Sequence, residues 1–188
     1  MRIGVLALQG AFIEHRRKLE GLGVKSFEIR GKTDLENQMD GIILPGGEST
    51  VMGKLLSDLG MSGMLRDMII GGMPAFGTCA GLILMAQRIK GESAYLATMD
   101  ITARRNAYGR QLGSFRAKES FGQEGEIPMT FIRAPYIEET GEGAEVLAFS
   151  REKITAARQG NQLVTAFHPE LDENDTVHRY FLGMIKEA

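Results

Sequence analysis

The chain has one cysteine among 188 residues, so it has no internal disulfide, and the thiol is expected to be reduced, as in a cytoplasm. It also has little surplus charge: the net value is -2, the pI is near 6.0, and the basic residues are dispersed. That pattern excludes a nucleic-acid footprint or a polybasic membrane patch and leaves small molecules and proteins as partners. No stretch approaches the ~18 apolar residues of a membrane span. The opening MRIGVLALQG carries an apolar run of only about six residues with no small-residue cleavage site behind it, too little for a signal peptide. It reads as a buried first strand of a soluble, cytoplasmic protein. Repeats, low-complexity tracts and an interdomain linker are lacking as well. A hydrophobic content of 43% over 188 residues suits one core, so residues 1–188 are read as a single domain. Three histidines and one cysteine without short ligand spacing argue against a zinc site, and no metal or cofactor is expected.

What is present is an alternation. Apolar runs at 3–8, 24–29, 41–44 and 74–78 are separated by amphipathic stretches at 11–22, from 49 onward, and at 64–70. This is the signature of parallel strands joined by crossover helices. In the helix from Ser49, Val51, Leu55, Leu56 and Leu59 are expected on the buried face. A further apolar helix, AGLILMA at 80–86, begins directly behind the cysteine. The second half holds strand candidates at 100–104, 129–134, 146–150, 154–158 and 163–167. A closing helix is expected over 175–186, capped by Asn174 or Asp175. The polar, glycine-bearing stretch 109–125 reads as a long loop. The sum is an α/β fold with a doubly wound, mostly parallel sheet and antiparallel additions.

The cysteine lies in PAFGTCAG, at a strand-to-helix corner flanked by Gly77 and Gly81. A helix N-terminus beside a thiol favours thiolate and offers N–H groups to an oxyanion. A tight elbow and a closely approaching substrate both need positions without Cβ. Taken alone, Cys79 is equally an inert buried hydrophobe. A nucleophile needs a base, and the base an orienting acceptor. AFHPEL supplies both: His168 at a strand end, with Glu170 two residues on, where an extended backbone sends both side chains to one face. His15 and His178 fall in amphipathic helices, where half-buried packing or surface positions are the default. LPGGEST, at 44–50, follows a strand with two glycines and a helix start, making backbone N–H groups available to an oxygen. Lys54 is too far along for a phosphate loop, and an ordinary turn capped by Ser49 or Thr50 is the plain alternative. Glu48 beside this loop suits a substrate ammonium.

LPGGEST, FGTCAGLILMA and FHPEL, in this order, resemble the triad-type glutamine amidotransferase domain. LALQGAFIEH, RRNAYGRQ at 104–111 and FIRAP at 131–135 are similar, more narrowly, to the glutaminase subunits of ribose 5-phosphate-dependent pyridoxal 5'-phosphate synthases. The resemblance runs through essentially the whole chain and implies a three-layer class I glutamine amidotransferase-like fold. It implies hydrolysis of L-glutamine to glutamate, with Cys79 as nucleophile, His168 as base and acid, and Glu170 as its orienter. It implies glutamine binding by Gly47, Glu48, Ser49, Arg105, Ile132 and Arg133. On the residues alone the two arginines are merely solvated strand ends. Backbone N–H groups of Gly47 and Ala80 are the candidates for an oxyanion hole. Gln9 and Gly10 match a segment that rearranges when the family's glutaminase docks on its synthase subunit. The implied partner is that subunit, in a large complex of twelve chains of each kind, to which ammonia passes.

Other readings remain at this stage. The chain is a glutaminase of another synthase, a γ-glutamyl hydrolase, a non-catalytic amidotransferase-like binding module, or a redox sensor using the elbow thiol.

Overall fold

The structure is a computed structural model and describes residues 1–105 and 113–188. The apolar runs of the first half form β1 (Arg2–Leu6), β2 (Lys25–Ile29), β3 (Gly41–Leu44) and β4 (Ala75–Thr78). Every residue of β3 and β4 is buried, as a strand covered on both faces requires. Between the strands lie α1 (Phe12–Gly21), α2 (Ser49–Asp58) and α3 (Ser62–Ile70), and β4 runs straight into α4 (Ala80–Met85).

The second half contributes β5 (Ala86–Ile89), β6 (Met99–Arg104), β7 (Ser114–Ser120), β8 (Glu126–Ile132), β9 (Tyr136–Thr140), β10 (Glu145–Ser150), β11 (Lys153–Gln159) and β12 (Gln162–Thr165). A 3-10 turn over Pro169–Leu171 follows, then α5 (Thr176–Glu187). The main sheet runs β2-β1-β3-β4-β12-β11-β9-β6-β5, with β10 also paired to β11; β7 and β8 form a separate two-stranded sheet. From β2 to β12 all pairings are parallel; β11, β9 and β6 then pair antiparallel, as β10 does with β11.

Two consecutive residues of β4 define the layers, because neighbours in a strand point to opposite faces. The Phe76 ring meets His15 of α1 and His178 and Phe181 of α5 at centroid distances of 5.9, 5.8 and 5.5 Å. On the other face a Cβ on Gly77 would lie 2.7 Å from the Gly81 carbonyl carbon and 2.8 Å from Met85 Sδ. Thus α1 and α5 cover one side of the sheet, and α4 presses on the other.

Several expectations need correction. The stretch read as a loop over 109–125 contains β7; residues 109–112 of it lie outside the described residues. Along β7 every second residue is exposed, and Phe115 stacks on Phe131 at 4.5 Å. A half-solvated ribbon carries so many polar side chains that it imitates a loop in sequence. On α2 the buried residues are Ser49, Met52, Gly53 and Leu56, whereas Val51 and Leu59 are exposed, so the inward face is rotated from the expected one. The strand expected at 129–134 is β8, ending at Ile132, and the one expected at 163–167 ends at Thr165. The residue at the N-cap of α5 is Asp175, but the capping bond comes from Asn174, whose Oδ1 accepts the Thr176 N–H at 2.9 Å. His15 and His178, expected half-buried or at the surface, are completely buried.

Candidate active site

The strands β1, β3, β4 and β12 are adjacent and parallel, so their C-terminal ends lie along one edge of the sheet. Gln9 and Gly10 follow β1, the 45–48 loop follows β3, Cys79 follows β4, and His168 lies three residues beyond β12. Segments far apart in the chain therefore meet because their strands are neighbours.

Cys79 takes φ +47 and ψ -96, a conformation rarely adopted by a side-chain-bearing residue. Its N–H donates to the Thr165 carbonyl at 2.7 Å, tying the elbow to β12. Gly81 is required by the same corner: a Cβ there would lie 2.0 Å from the Leu44 carbonyl oxygen. The sulfur is almost buried, lines a cavity, and lies 4.0 Å from the Ile132 carbonyl oxygen.

His168 is held at three points. Its N–H donates to the Thr130 carbonyl at 2.8 Å, its Nδ1 lies 2.7 Å from Glu170 Oε1, and its ring rests on Gly46, where a Cβ would approach Cε1 to 2.3 Å. Glu170 reaches the ring across a 3-10 turn, not along an extended strand as expected, and its carboxylate is fully buried. Burial alone would push the imidazole pKa down, but the neighbouring Cys79 and the bond to Glu170 outweigh it and raise the value to about 10. A pKa this high favours the protonated ring, and Nδ1 is committed to Glu170, which leaves Nε2 free of that bond.

The cradle is lined with backbone. Gly10 sits at φ +96, and a Cβ on it would lie 1.9 Å from the Gly46 carbonyl oxygen. The adjoining Gln9 Oε1 accepts the Glu48 N–H at 2.7 Å. Glu48, not Ser49 or Thr50, is the N-cap of α2 and makes no side-chain capping bond; its carboxylate pairs instead with Arg133 Nη2 at 3.0 Å. Arg133 has φ +41. Arg105 is held by Glu92 at 2.9 Å and by the Tyr95 hydroxyl at 3.1 Å.

A cavity of about 390 Å³ gathers Gln9, Gly47, Glu48, Ser49, Cys79, Ala80, Arg105, Ile132, Arg133 and His168 in its wall. Gly10 and Glu170 stand behind that wall, where each supports a lining residue. Ile83 and Pro135 also line the cavity and escaped sequence reasoning. So did Tyr95 and Glu92, whose value lies in orienting Arg105. From the RRNAYGRQ segment, residues 106–111 lie outside the described residues. Among the described residues no cluster of histidine, cysteine and carboxylates could hold a metal ion. Among them, no helix is long and apolar enough to cross a membrane.

A family model described as the SNO glutamine amidotransferase family matches residues 5–187. The chain is 63% identical over 185 residues to the pyridoxal 5'-phosphate synthase subunit PdxT of Methanocorpusculum labreanum, covering 98% of both chains. It is 52% identical to the subunit of the same name from Desulfitobacterium hafniense, covering 100% of this chain and 95% of the relative. A solved structure described as a glutamine amidotransferase superposes with a TM-score of 0.93 at 42% identity, covering 98% of each chain.

Proposed function

Given that the chain belongs to the SNO glutamine amidotransferase family, we propose that it is the glutaminase subunit of a pyridoxal 5'-phosphate synthase, hydrolysing L-glutamine to L-glutamate and ammonia. The whole chain serves as one amidotransferase domain. The observation that carries the catalytic reading is the single edge where Cys79, His168 and the Gly46-Gly47 cradle meet, with Glu170 bonded to His168 at 2.7 Å.

The chemistry follows from the geometry. Thiolate Sγ of Cys79 attacks the carbonyl carbon of the glutamine side-chain amide, and the oxyanion that forms is met by the N–H groups of Gly47 and Ala80. His168, protonated at the outset, gives its Nε2 proton to the departing nitrogen, so that the C–N bond breaks and ammonia leaves. Neutral His168 then takes a proton from water, whose oxygen attacks the thioester; expulsion of the thiolate yields glutamate. Glu170 holds the ring in the tautomer both steps need. At the other end of the substrate, Glu48 takes the α-ammonium, Arg105 and Arg133 take the carboxylate, and Ser49 and the Ile132 backbone border the chain.

The ammonia passes to the synthase subunit within a complex of twelve chains of each kind. The Gln9–Glu48 bond occupies a backbone donor beside the cradle, and Gly10 gives the segment the freedom to reorient its peptide. Docking of the synthase is the event that rearranges it, so hydrolysis is coupled to a waiting acceptor. A reaction that depends on a reduced Cys79 suits the cytoplasm.

The test is glutamate release from glutamine by this chain, with and without the synthase subunit, for wild type and Cys79→Ala. The expected result is turnover that rises on complex formation and vanishes in the variant. A wild-type complex that releases no glutamate overturns the proposal, and a variant that still supports cofactor synthesis from glutamine points to the binding-module reading.

A further inference from the structure

Behind the triad lies a second line of buried polar groups that the reaction above does not use. His15 on α1 and His178 on α5 are both fully buried, with His15 Nδ1 3.0 Å from His178 Nε2. The other ring nitrogen, His15 Nε2, lies 3.1 Å from Thr78 Oγ1 and 3.5 Å from Glu170 Oε2. Glu170 Oε1 is committed to His168, and Oε2 has no hydrogen-bond partner among the described residues. The same is true of His178 Nδ1.

These contacts select one arrangement of protons. If His15 carried its proton on Nδ1, its Nε2 lone pair would face the Glu170 carboxylate, and His178 would have to accept on Nε2. The proton of His178 would then sit on Nδ1 as a buried donor without an acceptor. With the proton on Nε2 of both rings, His178 Nε2–H donates to His15 Nδ1, and His15 Nε2–H points at Thr78 Oγ1 and Glu170 Oε2. Only a lone pair on His178 Nδ1 is then left over, which is less costly than a stranded N–H.

We propose that His15 is a positioning residue for glutamine hydrolysis, presenting a fixed, neutral Nε2–H to the second oxygen of Glu170, with His178 locking its tautomer. The inference rests on the triad reading above and extends it by two residues. Neutrality matters, because an imidazolium at His15 would compete with His168 for the same carboxylate. Burial, the neighbouring His178 and the cation at His168 all hold His15 well below its ordinary pKa. Burial and Lys18 lower His178 to about 4, against the opposing pull of Asp175. Thr78 immediately precedes the nucleophile, so the same N–H touches both arms of the site.

Three readouts test this. In the unaltered protein with nitrogen-15-labelled histidine, ring spectra are expected to show His15 and His178 as neutral Nε2–H tautomers from pH about 5.5 to about 9, across the range where free histidine titrates. An Nδ1–H tautomer or an imidazolium at His15 overturns the proposal, and this measurement needs no variant to fold. In the complex with the synthase subunit, His15→Leu is expected to lower kcat about tenfold or more with KM within about twofold. His15→Gln, whose amide nitrogen can replace Nε2–H, is expected to stay within about threefold of wild type. The acid limb of Cys79 alkylation by iodoacetamide should move to higher pH in His15→Leu alone, because a carboxylate that loses a neighbouring N–H dipole is more readily protonated. Wild-type behaviour in His15→Leu, or equal impairment of two folded variants, overturns the proposal. A wild-type complex without glutaminase activity instead defeats the functional reading and leaves the tautomer result to stand by itself.

Discussion

Arg133 and Glu48 face each other at the rim of the cavity, guanidinium nitrogen to carboxylate oxygen at 3.0 Å. The two side chains proposed to hold the charged end of glutamine thus pair with each other across the rim. Both are well exposed, at 73% and 55%, so the pair is worth only about 0.2–1 kcal/mol and substrate can displace it.

Replacing Arg133 with alanine should therefore act on binding and leave folding alone. KM for glutamine is expected to rise about 10–100-fold, the equivalent of one charge-assisted hydrogen bond, with kcat in the complex within about threefold. The free energy of urea unfolding should stay within about 0.5 kcal/mol of wild type. Steady-state kinetics at several glutamine concentrations check the first point, and a fall in kcat at unchanged KM contradicts it.

Glu170→Gln should do the opposite. The buried carboxylate that holds the imidazolium is replaced by an amide that cannot carry the countercharge, so kcat is expected to fall by about 10²-fold or more with KM little changed. Glu170→Ala should also cost about 3–5 kcal/mol of stability, because it leaves a buried cation unpaired. Single-turnover kinetics and denaturant titration separate the two effects.

Stability should depend on pH in two directions. The folded-state pKa of His168 is raised from 6.5 to about 10, so its contribution is complete below 6.5 and is lost as pH climbs from there through 10. His178 is lowered from 6.5 to about 4, so its contribution is present above 6.5 and is lost as pH falls from 6.5 through 4. Urea unfolding across this range should give a maximum near neutrality, and His168→Gln should flatten the alkaline limb alone. An alkaline limb unchanged in that variant removes His168 as its cause.

Gly81→Ala would place a methyl carbon 2.0 Å from the Leu44 carbonyl oxygen, a backbone atom of a central strand that cannot yield cheaply. The expected loss is at least about 2 kcal/mol, or about 4–8 °C in Tm for a chain of this length. Calorimetry on the isolated chain decides it, and an unchanged Tm would mean that α4 can slide on β3.

The parallel half of the fold is legible in the sequence because its strands are covered on both faces and leave continuous apolar runs, as in GIIL at β3. The proposed triad is legible for a different reason: Cys79 and His168 both stand at strand ends beside glycine or proline punctuation. Less legible are elements with one wet face. Ser114–Ser120 alternates polar and packed side chains, and Ala86–Ile89 follows α4 without a break, so neither carries a boundary signal. The helix faces of α1 and α5 mislead in another way. A buried histidine looks like a surface one until its partner is known, and His15 and His178 meet only once the sheet brings α1 and α5 to the same side.

The insertion of β12 between β4 and β11 has a consequence for the timing of synthesis. A ribosome releases Cys79 long before it releases His168, and the elbow that exposes the sulfur is itself fastened to Thr165. Until the late strand slots in beside the early one, a nascent or truncated chain carries a thiol with neither its proposed base nor its shape. The proposed hydrolytic centre thus depends on a long-range closure that must wait for the C-terminal part of the chain to emerge.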